Sequence, residues 1–443
     1  MNDLTKEYIR LFETDRDFCE ESFRRQVDYI KNSTAKYHGR VVRTLFIPKI
    51  FDSAAAADLK NIAETMHTIL CKVIKEYLDN PDFRKLFLFD SDLERLILTD
   101  CGYESLLPVA RVDIFYNEDN GDFKLCEINT DGTSAMNEDR ELNISVKGSA
   151  VYNNLKENFR FDSYELFDSF VERFMRIYNT FAYKKDNPNI AIVDFLDHGT
   201  VNEFEQFRLA FTRAGYNAVI CDIRDLEYKD RTLYTKDGLR VDAIYRRAVT
   251  CDIMAEKAVL GDFLNAVSNT DVCLIGGMRT QIAHSKILFK VLTELDNPSL
   301  LTKGETEFIK KHIPKTYLLT SDNELIDFEG VYKNYKSWII KPVDSYASMG
   351  VHAGVECESP EEWKGYVDEA LDKGYIIQEF VEPYITKNTD FSGEALYADY
   401  SNLTGLFLYD GDFAGIYSRV SKTEIISTQY SEITLPSVIG ERL

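Results

Sequence analysis

The chain has 443 residues, of which 44% are hydrophobic and 28% are charged, and its formal net charge is −22 at pH 7. This length is too great for one ordinary hydrophobic core and predicts a globular protein of two or three sub-domains. The acidic balance and the lack of a visible basic patch argue against a nucleic-acid-binding protein, and no apolar run reaches the length of a membrane span. The first ten residues lack the apolar segment of a signal peptide. We therefore expect a cytoplasmic protein that binds neither nucleic acid nor membrane.

The first hundred residues are predicted to be mostly helical. Residues 55–78 carry apolar side chains at helical spacing and contain neither Pro nor Gly. Pro81 is expected to end this helix, because proline lacks a backbone N–H and clashes with the preceding turn.

A β-hairpin is predicted next, with the strands RVDIFY and FKLCEIN on either side of a turn that contains an Asn-Gly pair. Residues two apart in a strand share a face, so Arg111 and Asp113 face one way, as do Glu127 and Asn129. If the hairpin is centred on Asn120, Asp113 lies opposite Glu127 and Arg111 lies opposite Asn129. Cross-strand Cβ atoms are then about 4.5–5.5 Å apart.

Two interpretations of this hairpin are open from the residues alone. Carboxylate and amide oxygens at this spacing suit Mg²⁺, and Arg111 beside them is suited to bidentate contact with a phosphoryl group. The alternative is a solvated polar face of an edge hairpin, in which Arg111 neutralises Asp113. An EF-hand is a poor third interpretation, since Tyr116 would then fill the first ligand position.

After the hairpin, the sequence predicts a helical stretch from about residue 149 to 183 and then a parallel βαβ unit. NIAIVDFL and NAVICDI have the pattern of buried strands, and the amphipathic helix NEFEQFRLAFTRAGY joins them. VDAIYRR and VCLIGG are expected to add further strands to the same sheet. This pattern indicates a Rossmann-like α/β unit in the centre of the chain.

The last part of the chain is predicted to be rich in strands. Lys341 ends a strand before Pro342, and the small polar segment DSYASMG that follows is suited to closing over phosphates as a lid. Lys286 opens a helix and could reach a nucleotide phosphate, while Gln378 and Glu379 interrupt an apolar strand and could read an adenine edge. Each segment also has a plain explanation, as a strand end, a solvated helix residue or a strand with one exposed face. A P-loop is excluded because GxxxxGK[ST] is absent from the sequence.

Together these motifs resemble the circularly permuted ATP-grasp ligases, which include the synthetase half of glutathionylspermidine synthases and, more distantly, eukaryotic-type glutathione synthetases. In those families an R-x-D strand precedes an E-x-N strand, and a K-P strand, a flexible loop and a hinge strand follow. The matching segments are residues 111–113, 127–129, 341–342 and 375–383. The resemblance implies an α/β (α+β) ATP-grasp fold, circularly permuted, with a Rossmann-like central substrate domain.

The expected domains follow from this resemblance. Residues 1–185 would form a helical N-terminal region with the metal-binding hairpin, residues 186–280 the substrate domain, and residues 281–443 the lid and core strands. Both ends of the chain would then complete one larger domain.

The resemblance also implies roles for individual residues. Arg111 would stabilise the transferred phosphoryl group and the acyl phosphate. The Mg²⁺ ligands would be Asp113, Glu127 and Asn129. The residues that bind ATP would be Lys286, Lys341, Gln378, Glu379 and Val381. The residues that face the substrate would be Tyr245, Arg246 and Arg247, where an arginine would either bind a substrate carboxylate or form a salt bridge.

The implied activity joins a small-molecule carboxylate to an amine through an acyl phosphate, with ATP and Mg²⁺ as cofactors and a homodimer as the possible assembly. The chain departs from the family at residues 130–133, where TDGT replaces DTPT, and at DSYASMG, which replaces a triple-glycine loop. The ATP chemistry therefore carries over better than the substrates. Two alternatives stay open, namely a ligase that acts on a carrier protein or peptide in a biosynthetic pathway, and an ATP-binding protein without turnover.

Overall fold

A computed structural model describes residues 2–37, 39–197, 199–295, 297, 299–344, 349–393, 397–426 and 432–443. Its α-helices span Asp3–Thr14, Arg16–Asn32, Ser53–Asp79, Pro81–Arg84, Ser91–Leu98, Met136–Lys147, Ala150–Leu155, Asp168–Tyr178, Val201–Arg213, Thr250–Ala255, Gly261–Ser268, Gln281–His284, Ile287–Glu294, Lys303–His312, Phe328–Lys333 and Pro360–Ala370. In the described part of the chain, none of these helices has the length and apolar character needed to cross a bilayer.

The longest N-terminal helix confirms its prediction. It spans Ser53–Asp79, and the Asp52 side chain caps it by accepting a hydrogen bond from the Ala55 backbone N–H. The helix ends before Pro81, which takes the first position of the next short helix, where a missing N–H costs nothing. Its apolar face packs against the strand Ala398–Tyr409.

The core of the molecule is an antiparallel sheet that combines early and late parts of the chain. Its strands lie in the order Ile433–Leu435, Asp412–Ser421, Ala398–Tyr409, Val109–Tyr116 and Phe123–Asn129, and Ile385–Asn388 also pairs with Ala398–Tyr409. A smaller sheet places the strand Ser437–Arg442 between Lys49–Phe51 and Phe159–Asp162. Both sheets thus combine strands from early and late parts of the chain.

The predicted helical stretch of residues 149–183 was wrong in its middle. The structure has helices at Ala150–Leu155 and Asp168–Tyr178, with the strand Phe159–Asp162 between them. The residues F-R-F-D alternate between buried and exposed positions, and they pair with the C-terminal strand Ser437–Arg442. This distant pairing decides the local structure, and a sequence window cannot show it.

The central unit is the predicted parallel α/β sheet. Its strands lie in the order Cys273–Ile275, Ala243–Arg246, Asn189–Asp194 and Asn217–Asp222, and all neighbours are parallel. The helix Val201–Arg213 makes the crossover between the last two strands. Further small strands pair beside this sheet: Glu227–Lys229, Thr232–Tyr234 and Arg240–Val241. The sheet lies inside residues 186–280, while the predicted domain boundaries themselves stay a prediction.

An antiparallel sheet in the last third of the chain carries Lys341. Its strands lie in the order Thr316–Leu318, Tyr375–Glu379, Trp338–Pro342 and His352–Ala353. The helix Pro360–Ala370 packs on this sheet through the buried Trp363. The strand was predicted to end at Lys341, before Pro342. In the structure it extends one residue further, and Pro342 pairs with Tyr375 as the last residue of the strand. Most of the predicted lid loop, residues 345–348, lies outside the described residues.

Candidate active site

The hairpin of the strands Val109–Tyr116 and Phe123–Asn129, which we call the carboxylate hairpin, has the predicted register. Asp113 pairs with Glu127, and Arg111 pairs with Asn129. Pairing counted outward from the turn would place Cys126 opposite Asp113, but Cys126 is the extra residue of a β-bulge. Because side chains alternate between faces, this one added residue turns Glu127 and Asn129 onto the face of Arg111 and Asp113.

Asp113 is the centre of a buried ionic network. Its side chain is 0% exposed, and it accepts hydrogen bonds from Arg111 Nε at 2.7 Å and Arg111 Nη2 at 3.0 Å. It also accepts from Asn129 Nδ2 at 3.0 Å and from Arg419 Nη2. Arg419 lies on the strand Asp412–Ser421, two strands away in the core sheet. Both arginines are thereby fixed by one carboxylate.

Gly405 makes room for this network. It lies on the strand between those of Asp113 and Arg419, and it pairs directly with Asp113. A Cβ atom at Gly405 would come within 2.8 Å of both Arg111 Cδ and Asp113 Oδ1. The absence of a side chain at this position therefore lets the arginine side chains reach across the strand.

Glu127 is the carboxylate of the hairpin that faces a cavity. Its side chain is 34% exposed, and its Oε1 lies 3.8 Å from Arg419 Nη2 and 3.3 Å from Asn129 Nδ2. Burial opposes the ionisation of Glu127, but the positive charges of Arg419, Lys286 and Arg111 outweigh it and hold the pKa well below its usual range. Glu127 is therefore an ionised carboxylate at neutral pH, and its oxygens are suited to binding a cation.

The two predicted phosphate-binding lysines approach the same cavity from different elements. Lys286 directly precedes the helix Ile287–Glu294, and its backbone N–H donates to the Val343 carbonyl oxygen at 2.9 Å. Burial lowers the pKa of Lys286. Lys341 Nζ donates to Gln378 Oε1 at 2.9 Å and to the Cys126 carbonyl oxygen at 3.4 Å. Lys286 is thus held by the segment that follows Lys341, and Lys341 is held by the carboxylate hairpin.

The cavity has a volume of about 1290 Å³ and lies where the core sheet, the central sheet and the Lys341 sheet meet. The predicted site residues on its wall are Arg111, Glu127, Asn129, Lys286, Lys341, Gln378, Glu379, Val381 and Arg247. Apolar side chains on or next to the strands of the Lys341 sheet also line the cavity, including Ile339, Val351 and Phe380. The predicted residues that do not line it are Asp113, Tyr245 and Arg246.

The three residues predicted to face the substrate have different environments. Tyr245 is buried among aromatic rings, with its ring centroid 4.4 Å from that of Phe170. Arg246 is buried and forms an ion pair with Asp131, with its Nη1 atom 2.5 Å from Asp131 Oδ1. Arg247 reaches the cavity wall, although its Nη2 atom is also 2.7 Å from Glu203 Oε1. Of the three, Arg247 alone is positioned to meet a ligand in the described part of the cavity.

Several acidic side chains line the cavity. Asp194 lies at the carboxyl end of a parallel strand of the central sheet, where ligands of α/β sheets commonly bind. Asp197, Asp252 and Glu138 also line the cavity. The lysines come from other elements, the start of the helix Ile287–Glu294 and the strand Trp338–Pro342, so the lining of the cavity contains both anionic and cationic groups.

Sequence reasoning missed several residues of this site. Arg419 was not singled out, although a buried arginine in the apolar strand DFAGIYSRVS was a usable signal. Arg40 and Arg43, near the N-terminus, also line the cavity, and no local motif marks them. Glu138 was missed because it follows the hairpin motif in a polar helix.

The residues fit a nucleotide phosphate group well and a divalent cation in part. Four cationic side chains converge on one wall, which suits a polyphosphate. The carboxylate of Glu127 and the side-chain amide oxygen of Asn129 belong to residues of the cavity wall, and they are the type of ligand that Mg²⁺ prefers. Asp113 lies behind them with its oxygens shared between arginines, and its predicted role as a metal ligand stays a prediction. Over the described ranges, no group of three or more His, Cys, Asp and Glu side chains is arranged to hold a metal.

Two adjacent buried carboxyls should make the stability depend on pH. Burial, reinforced at Glu138 by the charge of Glu203, raises the pKa of Glu138 and of Asp139 to about 8. In an unfolded chain both groups titrate near pH about 4, so between these values the unfolded state binds fewer protons and stability falls as pH rises. We expect the Tm of the protein to fall from pH 5.5 to 8, and to fall less in Asp139→Asn. The same slope in both proteins, measured by differential scanning fluorimetry, would contradict this assignment.

Known proteins resemble this chain in sequence and in fold. The sequence profile described as glutathionylspermidine synthase preATP-grasp matches residues 47–439. The solved structure of a glutathione synthetase-like effector from Globodera pallida matches with a TM-score of 0.58 at 12% identity, covering 95% of this chain and 96% of that chain. A putative gamma-glutamylcysteine synthetase from Methylobacillus flagellatus has a TM-score of 0.46 at 11% identity, covering 88% of this chain and 89% of that chain. No curated protein sequence matches this chain.

The two kinds of match answer different questions. The likeness to the Globodera pallida structure confirms the predicted mixed α/β fold of ATP-grasp-like synthetases. The sequence profile covers most of the chain, including the carboxylate hairpin, the central sheet and the Lys341 sheet. This chain belongs to the glutathionylspermidine synthase preATP-grasp family.

Proposed function

We propose that this protein is an ATP-dependent carboxylate–amine ligase that forms an amide bond through an acyl phosphate. Membership of the family supports an ATP-dependent ligase in general. The observation that carries the finer proposal is the convergence of Arg111, Arg419, Lys286 and Lys341 with Glu127 at one cavity. Fixed cations of this kind stabilise the charge that develops when a phosphoryl group is transferred.

Each wall residue has a part in this proposal. Lys286 and Lys341 bind the phosphates of ATP, and the apolar side chains beside Gln378 and Val381 receive the adenine ring. When bound, Mg²⁺ would be held by Glu127 and Asn129, and it would neutralise charge on the phosphate oxygens. The carboxylate of the first substrate then attacks the γ-phosphorus, and ADP leaves.

Arg111 is the residue that stabilises the transferred phosphoryl group. Its guanidinium is held by both oxygens of Asp113, and its Nη1 atom donates to the Ser134 carbonyl oxygen at 3.0 Å. A group held on two sides needs no reorientation as negative charge builds up, which is the condition for electrostatic catalysis. The same fixed position would stabilise the acyl phosphate that forms.

The acidic side chains of the cavity favour a positively charged amine as the second substrate. Asp194, Asp197 and Asp252 line the same cavity as the lysines, so it offers carboxylates to a cationic amine as well as cations to a polyphosphate. The family name pairs the peptide carboxylate of glutathione with the polyamine spermidine. This pair is therefore the first to test, and a carrier protein or a longer peptide is the second.

Binding of MgATP is tested by thermal unfolding. A ligand present at 100 times its Kd stabilises a protein by about 2.7 kcal/mol. We expect a clear rise in Tm with MgATP in the wild type, and little or none without Mg²⁺ or in Glu127→Ala. Glu424→Ala is the matched control, because Glu424 lines the same cavity and no phosphate contact is assigned to it.

The absence of a shift at millimolar MgATP would contradict the nucleotide site. If binding is found, ADP release is measured with glutathione and spermidine, and then with carrier proteins in place of the amine. Release that depends on the amine supports the proposed ligase, whereas release that depends on a protein favours the carrier-protein alternative. Binding without ADP release under any of these conditions would favour a protein that binds ATP without turnover.

A further inference from the structure

We propose that Glu138 is the catalytic base that takes the proton from the attacking amine, a role that rests on the proposed ligase function. Glu138 lies in the first turn of the helix Met136–Lys147 and lines the cavity. The segment just before it contacts both sides of the site. Ser134 accepts a hydrogen bond from Arg111, and Thr133 accepts one from Arg247, each through its carbonyl oxygen.

The side chain of Glu138 has an unused acceptor. It is 5% exposed, and its Oε2 atom is buried with no hydrogen-bond partner among the residues that the structure describes. Buried polar atoms are almost always hydrogen-bonded, so an exception at a cavity wall calls for an explanation. A substrate N–H would supply the missing donor once the side chain turns toward the cavity that it lines.

The neighbouring charged groups are already engaged. The groups that face Glu138 from other elements are Glu203, Glu432 and Arg247. Glu203 accepts from Arg247 at 2.7 Å and from the Asn137 backbone N–H at 3.1 Å, while Glu432 accepts from Tyr417 Oη at 3.0 Å. Among the three carboxyls of this cluster, Glu138 is thus the one with an oxygen that accepts no hydrogen bond from the described residues.

The chemistry requires such a group. As the C–N bond forms and the C–O bond to phosphate breaks, the nitrogen becomes positive and must lose a proton. Glu138 acts one step earlier: it takes the ammonium proton of spermidine, which frees the nitrogen lone pair for attack, and releases that proton to solvent. The proton lost after the attack goes to the departing phosphate, so the products are the amide, hydrogen phosphate and one H⁺, and the carboxylate is regenerated. Burial and the adjacent Glu203 raise the pKa of Glu138 to about 8, which makes it a stronger base than an exposed glutamate.

The test compares two nucleophiles on the same acyl phosphate. With MgATP and glutathione, spermidine must lose a proton to react, whereas hydroxylamine is already neutral at pH 7 and traps the acyl phosphate as a hydroxamate. We expect Glu138→Gln to lower kcat for amide formation with spermidine by about 10²–10⁴-fold and to form hydroxamate near the wild-type rate. The rise of the spermidine rate with pH toward about 8 should move to higher pH in the same variant, where spermidine loses its proton in solution.

Asp139→Asn is the matched control, because Asp139 is the next residue, is equally buried and does not line the cavity. It is expected to keep both reactions. A Glu138→Gln variant that forms the amide at the wild-type rate, or that keeps the pH dependence, would overturn the proposal, as would an equal loss in Asp139→Asn. A wild type that forms neither hydroxamate nor ADP would instead overturn the proposed function, and the role of Glu138 with it.

Discussion

Replacing Arg111 with alanine is expected to lower kcat about 10²–10³-fold, while the affinity for MgATP changes far less. Arg111 is fixed by Asp113 and the Ser134 carbonyl oxygen. In the proposed function, it stabilises the negative charge that develops on the phosphoryl group during transfer. An interaction made only in the transition state changes kcat, whereas one made equally in the ground state changes KM. The measurement is ADP release with glutathione and spermidine, alongside a MgATP titration followed by Tm.

The control for this experiment is Arg43→Ala. Arg43 is another arginine on the cavity wall, and it is not part of the Asp113 network. Its loss should leave kcat close to the wild-type value. Unchanged ATP turnover in Arg111→Ala would show that the role assigned to Arg111 is wrong.

Replacing Asp113 with alanine is expected to lower the free energy of unfolding by about 3–5 kcal/mol, because it leaves buried positive charges without their partner. Arg111 and Arg419 both donate to this carboxylate, which is 0% exposed. The loss should appear in urea denaturation without Mg²⁺ or ATP. Asp113→Asn, which keeps the shape and one acceptor, should lose less.

Asp122→Ala is the control for this second prediction, since Asp122 lies in the exposed turn of the same hairpin. Its effect should be within about 0.5 kcal/mol of the wild type. Near-wild-type stability of Asp113→Ala without metal would contradict the structural role described here. That outcome would favour a residue whose main task is to bind Mg²⁺, as the family resemblance implies.

Much of the carboxylate hairpin could be predicted from the sequence, because its information is local. Strand alternation and the Asn-Gly turn predicted that Asp113 faces Glu127 and that Arg111 faces Asn129, and the structure confirms both pairs. The pairs arise through the bulge at Cys126, which the sequence did not predict. Periodicity identifies which residues share a face, but it does not show an inserted residue.

The rest of the site depends on contacts between distant parts of the chain. Arg419 meets Asp113 only because the strands of the core sheet lie in a particular order, and Gly405 matters only because it lies between them. In the same way, Arg246 is neutralised by Asp131, which follows the hairpin. A residue pattern can show that a side chain is unusual for its strand, whereas only the fold shows its partner.

The joining of early and late strands in the core sheet has a consequence for how the protein is made. Asp113 and Arg419 are 306 residues apart, so at about 5–20 residues per second the ribosome needs about 15–60 s to supply the second after the first. The strands of the central sheet are close in sequence and can pair during that interval. The network around Asp113 can form only after Arg419 has been made, so the carboxylate hairpin completes its contacts later than the central sheet forms.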